Sequence, residues 1–325
     1  MRPATRKRLV FAAQLLFAAA VVWYAGAGLV RQWADAEAEL RALAPSWPAI
    51  AAASVVVLAT YALLIEAWRR MLVAWSARLA FVDASHIWFV SNLGKWVPGK
   101  VWQIAAMAGM ARQRGVSASA AAGSSIVVNL ANLASGFALI LVTGSRVLER
   151  STGDGRALGV AGVVLALAAL VALPYLLPWL ARTASRLTGR AIELPRLPAR
   201  AMWLAVTSTA VAWLLYGLAF ALFTRGIVQG GAASLTGVVP AFVAVYTGSY
   251  LAGYLALPAP GGLGVREAAL VALMPAFGLA TPAQALVIGL ASRLWLTALE
   301  VVPGLLFLAW GPLRRAHRPS DDAAT

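Results

Sequence analysis

Six stretches of this chain, roughly 9–30, 49–68, 118–143, 157–181, 201–225 and 282–311, run for 20 or more residues with at most two charged side chains each. A hydrocarbon core about 30 Å thick is crossed by about 20 apolar residues in α-helix. The pattern therefore predicts an all-α, polytopic integral membrane bundle with about six full spans. The first stretch follows Arg6-Lys7-Arg8, as the core of a signal peptide does. It exceeds the about 7–15 apolar residues of such a core, so it reads as an uncleaved first helix.

Two further apolar regions do not fit simple spans. Region 84–112 is interrupted at Pro98-Gly99, and region 236–278 at Pro258-Ala259-Pro260-Gly261-Gly262. Proline lacks the N–H that a helix needs, and glycine permits the turn. Each region is expected to form two shorter helices meeting at a broken point, a re-entrant hairpin, with a longer first arm in the second. Such breaks survive at membrane depth only where protein or a watery cavity shields them.

The charges orient the chain. Basic residues gather in the N-terminal tail, at Arg69, Arg70 and Arg78, at Arg112 and Arg114, between Arg182 and Arg200, and at Arg314, Arg315 and Arg318. Cytoplasmic loops carry such an excess. Placing all of these inside predicts cytoplasmic termini in a plasma (inner) membrane. The first hairpin then enters from inside and the second from outside. The expected divisions of this single transmembrane domain are 1–48 (first span and outer loop), 49–143 (first repeat-like unit), 157–181 (linking span), 201–313 (second unit) and 314–325 (tail). The two units have the same order with opposite orientation, an inverted repeat of the kind many transporters use. Gly115-Val116-Ser117 and Gly278-Leu279-Ala280-Thr281 stand at matching distances after the two breaks.

Composition narrows the function. With 61% hydrophobic and 12% charged residues, against about 45–50% and about 25% in soluble domains, a soluble enzyme is excluded in practice. There is no cysteine, and His86 and His317 stand far apart. Thiol chemistry is excluded, and neither a metal nor another cofactor is expected. The net charge of +15 is read as loop charge facing anionic lipid rather than nucleic acid. No G-x-x-x-x-G-K-[ST] phosphate loop is present.

At the breaks the sequence resembles a known family. Pro260-Gly261-Gly262-Leu263-Gly264-Val265-Arg266-Glu267-Ala268 is similar to the PGGxGxREA signature of the lysylphosphatidylglycerol synthase transmembrane region family, also described as flippase-like. Arg293 matches an arginine usual in the following span, and Asn92 to Gly99 resembles an earlier Asn…Pro-Gly motif. Lys100-Val101-Trp102-Gln103 replaces a Gly-Gly-Asp-type stretch, and Asn129 and Asn132 stand where many members carry an arginine and an aspartate. No aminoacyl-transferring domain is expected after the last span. The resemblance thus implies the lipid-translocating half alone, with cargoes that include lysyl-lipids, polyprenyl lipids and glycolipids.

The polar residues inside apolar sequence are the candidate site, and each has two readings. Lys95 and Lys100 straddle Pro98-Gly99 and either hold a lipid phosphate or snorkel to the interface. Gln103 follows on the same hairpin, within reach of the same head group. Gly261, Gly262 and Gly264 form a turn whose amides are able to receive an anionic oxygen beside Arg266; the alternative is a structural lock between Arg266 or Glu267 and Arg293. Arg293 and Glu300, seven residues apart, form with Glu267 either a gating network or a static one. Asn92, Asn129 and Asn132 line a polar path or make interhelical hydrogen bonds. Glu66 is expected to bridge Arg69 and Arg70 at a helix end. Trp88, Trp96 and Trp102 read as interface anchors. Tyr246, Tyr250 and Tyr254, one helical stripe, read as a packing face.

The favoured function is translocation of an anionic or zwitterionic phospholipid or polyprenyl-phosphate-type lipid between leaflets, with membrane lipids as partners and no enzymatic activity. The alternatives are a small-solute or ion transporter, an enzyme acting on lipid phosphates with Glu267 as base, and a non-catalytic partner of a lipid-modifying or glycosyltransferase enzyme.

Overall fold

The computed structural model describes residues 45–75, 77–96, 101–152, 199–228, 235–256 and 259–316, with isolated positions between 164 and 186. The expected first span at 9–30, the linking span at 157–181 and the residues Pro98, Gly99 and Lys100 lie outside these, as do both termini. The described chain is all-helical. Its helices are α1 (Trp47–Ala74), α2 (Phe81–Asn92), α3 (Val101–Arg112), α4 (Ala118–Thr152), α5 (Ala199–Ile227), α6 (Leu235–Leu255), α7 (Val265–Ala276) and α8 (Pro282–Ala316). Short 3₁₀ turns at Leu93–Trp96 and Pro260–Gly262 sit at the two breaks.

Five helices contain a stretch long and apolar enough to cross a membrane: Trp47–Ala74, Ala120–Gly144, Arg200–Ile227, Gly237–Leu255 and Pro282–Ala309. Four coincide with expected full spans. The fifth lies in the second broken region, whose first arm, expected to be the longer one and to cross most of the membrane, is of span length. The other hairpin arms, α2, α3 and α7, have 12 residues each. At 1.5 Å per residue that is about 18 Å, too short to cross.

Local sequence sets the helix ends. Pro48 lies in the first turn of α1, where a missing N–H costs nothing. At α8 the reciprocal pair Thr281 N–H to Gln284 Oε1 and Gln284 N–H to Thr281 Oγ1, both 3.2 Å, closes a capping box around Pro282. At α4, Ser117 Oγ accepts the Ala120 N–H at 3.1 Å. The helices before these caps also end alike. The Val116 N–H reaches Ala111 O and the Leu279 N–H reaches Met274 O, around left-handed Gly115 and Gly278.

Each half thus runs long helix, broken hairpin, long helix. The halves also pack by a largely shared rule. Exchanging α1 with α5, α2 with α6, α3 with α7 and α4 with α8 carries α1–α5 onto itself and the hairpin pairings of one half onto those of the other. The close α4–α5 pairing has only a slight α1–α8 contact as its counterpart. α1 and α5 lie side by side and antiparallel. Ser46 N–H bonds Gly226 O at 2.8 Å, Tyr61 and Tyr216 meet edge-on at mid-length, and Met71 packs in one cluster with Ala205. The first arm of each hairpin packs antiparallel on the last long helix of the other half. Phe89 stacks on Phe307 while Lys95 reaches Glu300; Gly144 abuts Ala244 while Asn129 meets Tyr254.

Small residues bring the backbones together, as expected where lipid removes any hydrophobic drive between helices. A Cβ added at Gly217 of α5 would stand 2.6 Å from Val243 Cα of α6. Outward faces carry large apolar side chains such as Trp47, Leu294 (73% exposed) and Leu306. So much exposed apolar surface is tolerable only against lipid.

Candidate functional site

The two broken tips touch each other inside the bundle. Beside them lies a cavity of about 210 Å³. Tyr61, Asn132, Trp213, Tyr246 and Leu296 line it, and each stands within one residue of the middle of its span. The cavity is therefore at the centre of the membrane-crossing part. Its volume falls below the about 300–1,000 Å³ of sites that enclose drug-sized ligands.

The second tip is built around close backbone contact. Gly261, Gly262 and Gly264 all have positive φ, at 57°, 69° and 80°. Gly262 lies against the backbone of Gly253 in α6, leaving no room for a side chain. The Gly262 N–H bonds Ala259 O at 3.0 Å, and the Gly264 N–H bonds Glu267 Oε2 at 2.8 Å. Of the amide cradle expected here, these two N–H groups are bonded within the turn in this structure. Arg293 of α8 reaches the Gly261 carbonyl with both terminal nitrogens at 3.0 Å and stands 3.5 Å from Glu267 Oε1. The expected lock at this tip thus uses Glu267 and Arg293 and omits Arg266.

Arg266 is the residue left over. It is 5% exposed, lines the cavity, and its Nε and Nη2 are buried without a hydrogen-bond partner. The Tyr246 ring lies 5.6 Å from its guanidinium carbon. That contact contributes about 0.5–2 kcal/mol, short of what burying an unpaired charge costs.

The first tip holds a different pair. Lys95 forms an ion pair with Glu300 of α8, and the Tyr61 hydroxyl donates to the same carboxylate at 3.1 Å. Lys95, expected among the head-group ligands, is thus held by Glu300 in this structure. Gln103 Nε2 donates to Asn92 Oδ1, closing the hairpin on itself. Asn129 Nδ2 donates to Ser125 O at 2.8 Å, and the Tyr254 hydroxyl to Asn129 Oδ1 at 3.3 Å. Asn132 gives its carbonyl to the Trp213 indole N–H at 2.9 Å. Asn92, Gln103, Asn129 and Asn132 all still line the cavity.

A match to the family described as lysylphosphatidylglycerol synthase TM region spans residues 11–304 of the 325. The chain belongs to the lysylphosphatidylglycerol synthase transmembrane region family. No individual curated protein matches it. With its apolar helices, membership makes the chain a multi-pass membrane protein.

In this member of the lysylphosphatidylglycerol synthase transmembrane region family, the signature residues divide by task. Gly261, Gly262 and Gly264 shape the tip, Glu267 and Arg293 fasten it, and Arg266 faces the cavity with Nε and Nη2 unpaired among the described residues. Pro260 opens the second 3₁₀ turn. Sequence reasoning missed the aromatic wall. Tyr246, Tyr250 and Tyr254, read as a packing face, line the cavity together with Tyr61, Trp213 and Tyr216. Their four-residue spacing was visible, but which way the stripe points depends on the partner helices. The Glu66 fork is as expected: Arg69 bonds it at 2.7 Å and Arg70 at 2.8 Å.

Proposed function

We propose that this protein moves a lipid bearing a phosphate head group between the leaflets of the inner membrane, binding that head group in the central cavity while the acyl chains stay in lipid. The observation carrying this reading is Arg266, a buried guanidinium in a mid-membrane cavity whose Nε and Nη2 have no hydrogen-bond partner among the described residues. An uncompensated charge there is costly and is retained where it has work to do. A phosphate oxygen pair matches its fork of N–H donors. Asn129, Asn132 and the hydroxyls of Tyr216, Tyr246 and Tyr250 offer further donors to a polar head group, whether anionic or zwitterionic. The two oppositely directed halves, meeting at the cavity, supply an arrangement that can rock to expose it to either side.

The test is reconstitution in liposomes carrying a fluorescent phosphatidylglycerol in both leaflets, with an impermeant quencher outside. Wild-type protein is expected to make the inner-leaflet pool quenchable, and Arg266→Ala to slow this at least tenfold. Equal rates for wild-type vesicles and protein-free vesicles would overturn the proposal.

A further inference from the structure

Arg266 is not the only cavity residue with an unmet donor. The Trp88 indole N–H is buried and has no hydrogen-bond partner among the described residues. Trp88, expected as an interface anchor, lines the cavity from the first hairpin instead. It is half-buried beside Trp68, with ring centroids 6.5 Å apart. The Trp68 N–H is satisfied by Ser124 Oγ at 2.9 Å, whereas that of Trp88 is not. A buried donor left unmade is costly, and folded proteins keep few of them.

The two unmet donors stand at different levels of the bundle. Arg266 is beside Tyr246, at the middle of its span. Trp88 is beside Trp68, seven residues along α1 from mid-span Tyr61, which is about 10.5 Å of helix. On α4 the lining also runs seven residues, from mid-span Asn132 to Ser125, next to the Ser124 that meets Trp68. The site is therefore elongated. It starts at the centre and extends toward the side where Arg69 and Arg70 lie.

Charge and hydrogen bonding ask for the same ligand. Lys95, Arg266 and Arg293 line the cavity against a single carboxylate among the described residues, Glu300, which already accepts from Lys95 and Tyr61. A group that completes such a site brings acceptors and negative charge. An ammonium head group brings only donors, and three cations oppose its charge. Aromatic faces attract it, but it leaves the Trp88 N–H unmet.

We infer that Trp88 is a specificity-determining donor for the part of the head group beyond the phosphate, and that this part carries hydroxyls, as glycerol or a sugar does, and no ammonium. This rests on the head-group reading above and narrows it to hydroxyl-bearing phosphodiesters. The phosphate occupies Arg266, and a hydroxyl oxygen about two helical turns along the bundle accepts from Trp88 Nε1. The side-chain amide of Asn132, which also lines the cavity, offers an acceptor for a hydroxyl proton in return.

The experiment is binding of four dihexanoyl lipids to the full chain in mild detergent. They are phosphatidylglycerol, phosphatidylinositol, phosphatidylethanol (the same charge without hydroxyls) and phosphatidylethanolamine. Wild type is expected to bind one or both hydroxyl-bearing lipids about tenfold tighter than phosphatidylethanol, as a satisfied buried donor implies, and phosphatidylethanolamine most weakly. The tighter of the two tells an open-chain polyol from a ring. Trp88→Phe keeps an aromatic ring and removes the N–H. It is expected to bind the hydroxyl-bearing lipids as weakly as phosphatidylethanol, whose own affinity stays unchanged. Equal weakening of all four lipids would overturn the assignment by making Trp88 structural. Wild-type binding of phosphatidylethanol or phosphatidylethanolamine as tight as that of both hydroxyl-bearing lipids would overturn it too; if Arg266→Ala then abolishes that binding, the phosphate site stands. Absence of any wild-type binding would remove both readings. If Trp88→Phe fails to fold, the wild-type ranking decides alone.

Discussion

Replacing Gly262 by alanine tests whether the second tip holds Arg266 through backbone contact. Two costs arise. The residue sits at φ +69°, and a left-handed backbone costs a side-chain-bearing residue about 1–2 kcal/mol. The new Cβ would also lie 2.8 Å from Gly253 O and 2.9 Å from Gly253 C and Cα, all backbone atoms of α6 that no rotamer change can move. Overpacking of this kind costs about 1–3 kcal/mol more. The sum is about 2–5 kcal/mol. Gly278 is the matched control: its φ is +66°, and an added Cβ meets nothing within 4 Å. Gly278→Ala therefore bears only the conformational cost. Thermal unfolding in mild detergent should rank wild type above Gly278→Ala and that above Gly262→Ala. Binding of dihexanoyl-phosphatidylglycerol should survive in the control and fall at least tenfold in Gly262→Ala, because Arg266 rides on the displaced turn. Equal unfolding midpoints for the two alanine variants would refute the close-contact reasoning.

Arg266→Met removes an unpaired buried charge and keeps the bulk, so it should unfold at a higher temperature than wild type while losing lipid binding; a lower midpoint would mean Arg266 holds the fold together. The Trp68 indole donates to Ser124 Oγ at 2.9 Å in the core, so Ser124→Ala should cost about 0.6 kcal/mol, typical of such bonds in membranes, read as a small fall in midpoint with unchanged lipid binding. For the first tip, a double-mutant cycle on Lys95→Met and Glu300→Gln should give a coupling energy of about 0.5–3 kcal/mol, measured by unfolding in detergent; strict additivity would show that the ion pair does not fasten the hairpin.

The spans were legible because lipid imposes a simple rule on sequence: about 20 apolar residues per crossing. The breaks were legible because proline and glycine announce themselves. The length of α6 was harder to read, since Pro240 lies inside the helix without ending it. What sequence could not supply is which charge meets which. Lys95 and Glu300 are 205 residues apart, and nothing local to either names the other. The sequence left open whether Arg266 or Glu267 meets Arg293. Only the approach of α8 to the Gly261 carbonyl makes Arg293 the fastener and leaves Arg266 over. The tyrosine stripe illustrates the same point, since periodicity finds a face but not what that face looks onto.

Arg293 and Glu300 grip opposite tips from one helix, seven residues apart. Two turns of α-helix make that interval about 10.5 Å, so α8 works as a ruler. It sets the distance between the tips and fixes their order along one edge. A single residue inserted between the two marks would turn one of them about 100° away from its tip. The ends of α8 carry no such constraint, and its loops can change length without altering the measure.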